Sequence, residues 1–156
     1  MRIRVIAIGR RMPRWVEQGY REYAKRLPQQ CRLELVEVPA AKRTRTTDLK
    51  RAMREDSERL LMATPDTSRV VLFDRQGAPL TTQRLVQALQ QWMMEGRDVA
   101  LLIGGPDGLG HECRCRADHV WSLSGLTLAH PIARVVVAEQ MYRAWSILQG
   151  LPYHRD

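Results

Sequence analysis

The residues best equipped for chemistry gather in the last third of the chain. Gly104-Gly105-Pro106-Asp107-Gly108-Leu109-Gly110 follows an apolar run, and glycines let a ligand approach the backbone because no Cβ stands in the way. Gly105 and Gly110 have the spacing of a phosphate loop. However, His111-Glu112 stands where Lys-Ser/Thr would hold phosphate and magnesium, and the G-x-G-x-x-G pattern is absent. The stretch reads either as a ligand cradle or as a tight strand-to-helix turn. Ser122-Leu123-Ser124-Gly125-Leu126-Thr127-Leu128-Ala129-His130-Pro131 mixes apolar side chains with free backbone amides. That composition suits a partly apolar ligand, or a plug for the end of a sheet.

Titratable groups follow. His130 stands between that loop and a helix start, placed either to cap the helix or to handle protons or phosphate. Glu139 interrupts an apolar run and is set either to pair with Arg143 at i,i+4 or to act as a carboxylate base. The tail puts the ring of Tyr153, the imidazole of His154 and the guanidinium of Arg155 side by side. Tails fray by default, and this trio suits RNA contact only if something fixes it. Cys31, Cys113 and Cys115 are odd in number, and Cys113-x-Cys115 lacks the second Cys/His pair of a structural zinc site, so reduced thiols and no metal are expected.

The formal charge is +8, and the whole excess lies in residues 1–60, the remainder carrying equal numbers of acids and bases. Its densest part is Lys42-Arg43-Thr44-Arg45 followed by Lys50, Arg51 and Arg54, with Thr hydroxyls interleaved. This is either the solvated face of an arginine-rich chain or a polyanion site, and the clustering favours nucleic acid.

The elements that must position these groups alternate along the chain. Strands are expected at Ile3–Ile8, Leu33–Val38, Arg69–Asp74, Val99–Ile103 and His119–Leu123. Pro13 opens a helix carrying Glu17/Arg21 and Glu22/Arg26 pairs. Thr47 or Asp48 caps one running to about Ala63, and Thr81 or Thr82 caps one that Gly96 stops. Gln76-Gly77-Ala78-Pro79 reads as a turn, a short helix follows the glycine-rich loop, and Pro131 begins a long final helix. The fold class is therefore α/β, a mostly parallel sheet with helices on both faces, spanning 1–156 as one domain. Ligands on such sheets bind beyond the carboxyl ends of the strands. The longest apolar strings, Val5–Ile8 and Val99–Ile103, fall far short of the ~20 residues of a membrane span, so a cytoplasmic protein is expected.

Longer matches go beyond generic pattern. Through Met12-Pro13-x-Trp15-Val16, Glu37-x-Pro39-Ala40, Leu101-Leu102-Ile103-Gly104-Gly105-Pro106-x-Gly108-Leu109, Trp121-Ser122-Leu123-Ser124-x-Leu126-Thr127-Leu128, Ala138-Glu139-x-x-Tyr142-Arg143-Ala144-Trp145 and Pro152-Tyr153-His154-Arg155, the chain resembles a family. These are the bacterial ribosomal large-subunit pseudouridine N3 methyltransferases, of the SPOUT class. Gly125 stands where alanine is expected, and Ala129 where proline is common. The resemblance implies S-adenosylmethionine-dependent methylation of N3 of a pseudouridine in 23S ribosomal RNA. It also implies a C-terminal trefoil knot, which connection rules discourage. The donor would be held by the positions matching Phe73, Gly104, Leu123, Ser124, Gly125, Leu126, Thr127 and Leu128.

The resemblance further implies a homodimer in which one subunit's pocket meets the other's residues, the tail among them. On that footing His154, His130 or Glu139 would take the N3 proton, while Arg143 and Arg155 hold phosphate or a developing anion. Lys42, Arg43, Arg45, Lys50, Arg51, Arg54 and Tyr153 would contact RNA. The alternative is a ribosome-associated RNA-binding protein without catalysis, which titration with the methyl donor separates. A hydrolase built on His130 and Glu139 has neither nucleophile elbow nor metal pair behind it.

Overall fold

The computed structural model describes residues 1–155. Its elements are β1 (Arg2–Ile8), α1 (Arg14–Ala24), a 3-10 turn at Gln29–Cys31, β2 (Arg32–Val38), α2 (Leu49–Ala63), β3 (Arg69–Pro79), α3 (Thr82–Glu95), β4 (Val99–Ile103), α4 (His111–Arg116), β5 (His119–Ser122) and α5 (His130–Leu148). Side chains along a strand alternate between faces, and β4 shows what that does here. Val99, Leu101 and Ile103 pack with Tyr20 of α1, Leu89 and Trp92 of α3 and Met141 of α5. Ala100 and Leu102 pack on the other side with Leu60 of α2 and Cys113 of α4. Helices therefore cover both faces, and β4 is buried throughout.

The strands are hydrogen-bonded in the order β2-β1-β4-β3-β5, every pair parallel. All loops that follow a strand emerge at one rim, so topology alone brings residues 9–13, 39–48, 104–110 and 123–129 to the same edge. Local chemistry sets the helix ends. The Asp48 carboxylate accepts from Lys50 N at 3.0 Å, and the Thr81 hydroxyl accepts from Arg84 N at 3.1 Å. Gly96, at φ 69°, ends α3. Glu22 pairs with Arg26 at 2.6 Å as spacing predicts, whereas Glu17 and Arg21 do not pair. At the opposite rim the turn 65–68 is clamped, Arg97 donating to Thr67 O and Ser68 O and Arg116 to Asp66 O.

One expectation is overturned. Gln76 to Pro79 is not a turn but the continuation of β3, which after a register shift pairs Ala78 with Trp121 and Pro79 with Ser122. Gly77 permits this because a Cβ there would lie 2.6 Å from the Trp121 carbonyl carbon. At the far end of the chain, Leu151 N donates to Ser146 O and Gly150 N to Ile147 O. With Gly150 at φ 65°, this is a Schellman reversal that folds the tail back along α5. No helix among the described residues is long and apolar enough to cross a membrane.

Candidate functional site

At the carboxyl rim the two loops singled out from sequence form walls of one cavity of about 1010 Å³, at the upper end of the range for small-molecule sites. Phe73, Gly104, Leu123, Ser124, Leu126, Thr127 and Leu128 all line it, together with Ile103, Leu109, His130 and, from α2, Leu49, Lys50 and Met53. Gly125 does not. It borders an adjoining cleft of about 290 Å³ with Arg75, Gly77 and Leu80.

Both loops are held from within. Ser122 Oγ donates to Ser124 O at 3.0 Å, and Leu126 N donates to Ser124 Oγ at 2.9 Å, which fixes the bend. In the glycine-rich loop Gly108 N donates to Gly105 O, and Gly110 N donates to the buried Ser57 Oγ at 2.7 Å. A Cβ at Gly104 would lie 2.7 Å from Leu109 Cγ, so glycine is required for Leu109 to plug the core beneath.

The charges around the cavity do not cancel. Of the charged groups lining it, Asp74 pairs with Arg114 at 2.7 Å and Asp107 with Arg43 at 2.8 Å. Lys50 and Arg75 pair with nothing among the described residues, so the uncompensated charge at the cavity is positive. Burial, assisted by the charges of Arg134 and Arg43, pushes the His130 imidazole below the ordinary histidine value, and its Nδ1 has no partner. His130 thus lines the cavity half-buried beside apolar walls, with its protonated form disfavoured and its Nδ1 sealed from solvent.

The basic stretch divides in two. Lys42, Arg45, Lys50, Arg51 and Arg54 are exposed and make no ion pair among the described residues. Arg43 differs from the expected phosphate ligand. Its Nη2 donates to Asp56 at 2.6 Å, its Nη1 to Ala41 O and its Nε to Asp107. The cause is Asp56, a fully buried carboxylate on α2 that requires a cation. Sequence reasoning passed over Arg10, Arg11 and Arg14, which are exposed at or just beyond the carboxyl end of β1, on the same rim as the cavity. The carboxyl-end rule would have found them had it been applied to the first strand.

The tail trio does not reach the cavity of its own chain. Glu139 lies about 14 Å along α5 from His130 at the usual helical rise. It accepts from Arg143 Nε at 2.8 Å, from the Tyr153 hydroxyl at 3.0 Å and from Gln140. Tyr153 also sits edge-on to Tyr142 at 4.7 Å, beneath the Arg143 guanidinium at 4.9 Å. The tail is therefore anchored rather than frayed. The ring read as an RNA-stacking platform is half-buried, with the Arg143 guanidinium over it and Tyr142 set edge-on to it, and Glu139 and Arg143 form its dock. The Tyr153 hydroxyl, partly desolvated and facing the Glu139 carboxylate, is held well above the usual phenol range. Arg134 was also missed. It is buried, donating to Ile8 O, Gly9 O and Glu37, and so ties α5 to the ends of β1 and β2.

A doubly covered parallel sheet, with a partly apolar cavity walled by the loops after β4 and β5, defines a class of α/β ligand-binding domain. Comparison with known proteins makes it specific. A family model described as predicted SPOUT methyltransferase matches residues 1–154. A ribosomal RNA large subunit methyltransferase H from Thioalkalivibrio sulfidiphilus is 53% identical over 156 residues, covering 100% of both chains. Its namesake from Hahella chejuensis is 49% identical over the same length, again with 100% coverage of both. Among solved structures, a methylase family protein from Neisseria gonorrhoeae superposes with a TM-score of 0.57 at 22% identity, over 90% of this chain and 81% of that one. TrmJ from Z. mobilis gives 0.55 at 16% identity, over 90% and 68%. These two show the fold alone. The chain belongs to the SPOUT methyltransferase family.

Proposed function

We propose that this protein transfers a methyl group from S-adenosylmethionine to N3 of a pseudouridine in large-subunit (23S) ribosomal RNA. It would work as a cytoplasmic homodimer with its two cavity loops in the trefoil knot that the family implies. The observation that carries this reading is the joining of the loops 104–110 and 122–130 into one cavity that is apolar along its walls and positive at its uncompensated charges. The full-length relatives bearing the name ribosomal RNA large subunit methyltransferase H support the substrate class.

The residues fit the donor. Phe73, Ile103, Leu123 and Leu128 supply apolar walls for an adenine ring, and the internally braced loop 122–128 presents backbone amides and carbonyls for its edge. When bound, the donor supplies an activated methyl and its own leaving group. The chain's task is then to hold the target nitrogen in line with that methyl, where orientation is worth several kcal/mol. The N3 proton must leave. His130, which lines the cavity with its protonated form disfavoured by burial, is one acceptor. His154 is the other, reaching a cavity only from a second copy, with Arg155 beside it for phosphate or a developing anion. The exposed Trp15 and Ile132 near the starts of α1 and α5 give such a copy an apolar face to cover. Lys42, Arg45, Lys50, Arg51 and Arg54 then position RNA through its phosphates.

The test supplies purified protein and methyl-labelled donor to large ribosomal subunits from cells lacking the gene, and maps the product by mass. Methyl incorporation at a pseudouridine N3 is expected. Donor binding without transfer, or RNA binding without donor binding, would replace this reading with that of a non-catalytic RNA-binding protein.

A further inference from the structure

We infer that Arg43 is a positioning residue for the methyl-donor pocket rather than a phosphate ligand. Resting on the reading above, the inference assigns it the task of tying the apex of the glycine-rich loop to the buried floor of α2. The loop 104–110 carries glycines at 104, 105, 108 and 110, and glycine backbone loses more freedom on ordering than any other. A ligand that had to order such a loop would bind more weakly by that loss.

The structure orders it in advance at three places. Its start is fixed by Gly104 against Leu109, and its end by Gly110 N on Ser57 Oγ at 2.7 Å. Between them, the side-chain anchor at the apex is Asp107, held by Arg43 Nε at 2.8 Å. The other end of the guanidinium is gripped by Asp56, which is completely buried. Asp56 Oδ1 in turn accepts Ala41 N at 2.6 Å. Arg43 has donors engaged at Nε, Nη1 and Nη2, so its orientation is set on three sides, and a planar fork suits that task better than an ammonium. Adjacent Asp56 and Ser57 thereby brace the middle and the end of a single cavity wall. Arg43 also sits among cations that face outward, so RNA grip and donor grip share one segment of chain.

The experiment measures S-adenosylhomocysteine affinity by calorimetry, the donor KM and kcat, and RNA affinity. The variants are Asp107→Ala, Asp107→Glu, and Arg43→Lys alone and combined with Asp107→Ala. Asp107 is at the surface, so its loss removes the tie without stranding the buried Asp56, a risk that Arg43→Ala would carry. Asp107→Ala should weaken S-adenosylhomocysteine binding and raise the donor KM by about fivefold, the usual scale of coupling within such a network, with kcat nearly unchanged. Asp107→Glu should restore most of the affinity. Arg43→Lys should weaken binding alone but add nothing on top of Asp107→Ala. Wild type that binds S-adenosylhomocysteine no better than Asp107→Ala overturns the inference and leaves the donor reading intact. Unchanged donor affinity with tighter RNA binding in Asp107→Ala overturns it in favour of the phosphate role. A wild-type chain that binds no S-adenosylhomocysteine removes both.

Discussion

Replacing Lys42, Arg45, Arg51 and Arg54 together by glutamine should strip the protein of much of its hold on RNA while leaving its donor pocket untouched. The structure chooses the set. These four side chains are exposed and free of ion pairs among the described residues, so their removal strands no partner and costs stability little. Arg43 is omitted because it is bound to Asp56 and Asp107, and Lys50 because it borders the cavity. Every phosphate that is no longer neutralised lowers the slope of log affinity against log salt by about 0.7 for single strands and about 0.9 for duplex. If each of the four holds one phosphate, the slope should fall by about 2.8 to 3.6. Between 50 and 200 mM salt the wild type would then drop by about two orders of magnitude more in affinity than the variant. Fluorescence anisotropy with a large-subunit RNA fragment over a salt series reads this directly, with S-adenosylhomocysteine calorimetry as the control. A slope that changes by less than about one, the value of a single neutralised phosphate, or a parallel fall in donor-product binding, would refute the division of labour.

Three further outcomes are expected. Gly104→Ala, whose Cβ would stand 2.7 Å from Leu109 Cγ, should lower stability by about 1–3 kcal/mol, as overpacking does, and weaken S-adenosylhomocysteine binding. Urea titration and calorimetry check the two effects, and unchanged binding would contradict the placement of that loop. Tyr153→Phe keeps the ring but removes the 3.0 Å bond to Glu139, worth about 1 kcal/mol. Amide exchange of Leu151 and of residues 153–155 should accelerate, and a tail as protected as before would show that the anchor lies elsewhere. His130 should titrate by NMR below the ordinary histidine value. Because the folded state resists a proton that the unfolded chain accepts, His130 makes stability fall as pH drops through that ordinary value. His130→Gln should flatten this acid slope, and a steeper one would reverse the argument.

How much of this was legible beforehand followed the range of the interactions. Asp48, Thr81, Gly96 and the Glu22–Arg26 pair act within a turn of their own position, and the sequence pattern marks them, to within one residue at the two caps, although the equally local Glu17 and Arg21 do not pair. The unbroken apolar run of β4 announced a strand covered on both faces. The continuation of β3 past Asp74 was hidden because Gly77 and Pro79 carry turn chemistry. Only the close approach to the Trp121 backbone, a contact across the sheet, reveals why glycine is there. The site follows the same rule. The two loops were found by composition, but nothing local indicates that Asp56 is buried or that it claims Arg43 from its basic neighbours. Nor does local sequence show that Arg134 crosses to the ends of β1 and β2, or that the tail folds onto Glu139.

The clamped turn at the rim opposite the cavity offers a practical opening. Thr67 is exposed there, in a segment whose carbonyls are gripped by Arg97 and Arg116, so a dye at that position would sit on a rigid platform facing away from the cavity. Two of the native thiols would compete poorly for maleimide, since burial raises both Cys31 and Cys113 to about 11. The exposed Cys115 is the one to replace before Thr67→Cys is labelled. Energy transfer from that mark to a labelled ribosome would then time each landing and departure of the enzyme, with the cavity at the far rim undisturbed.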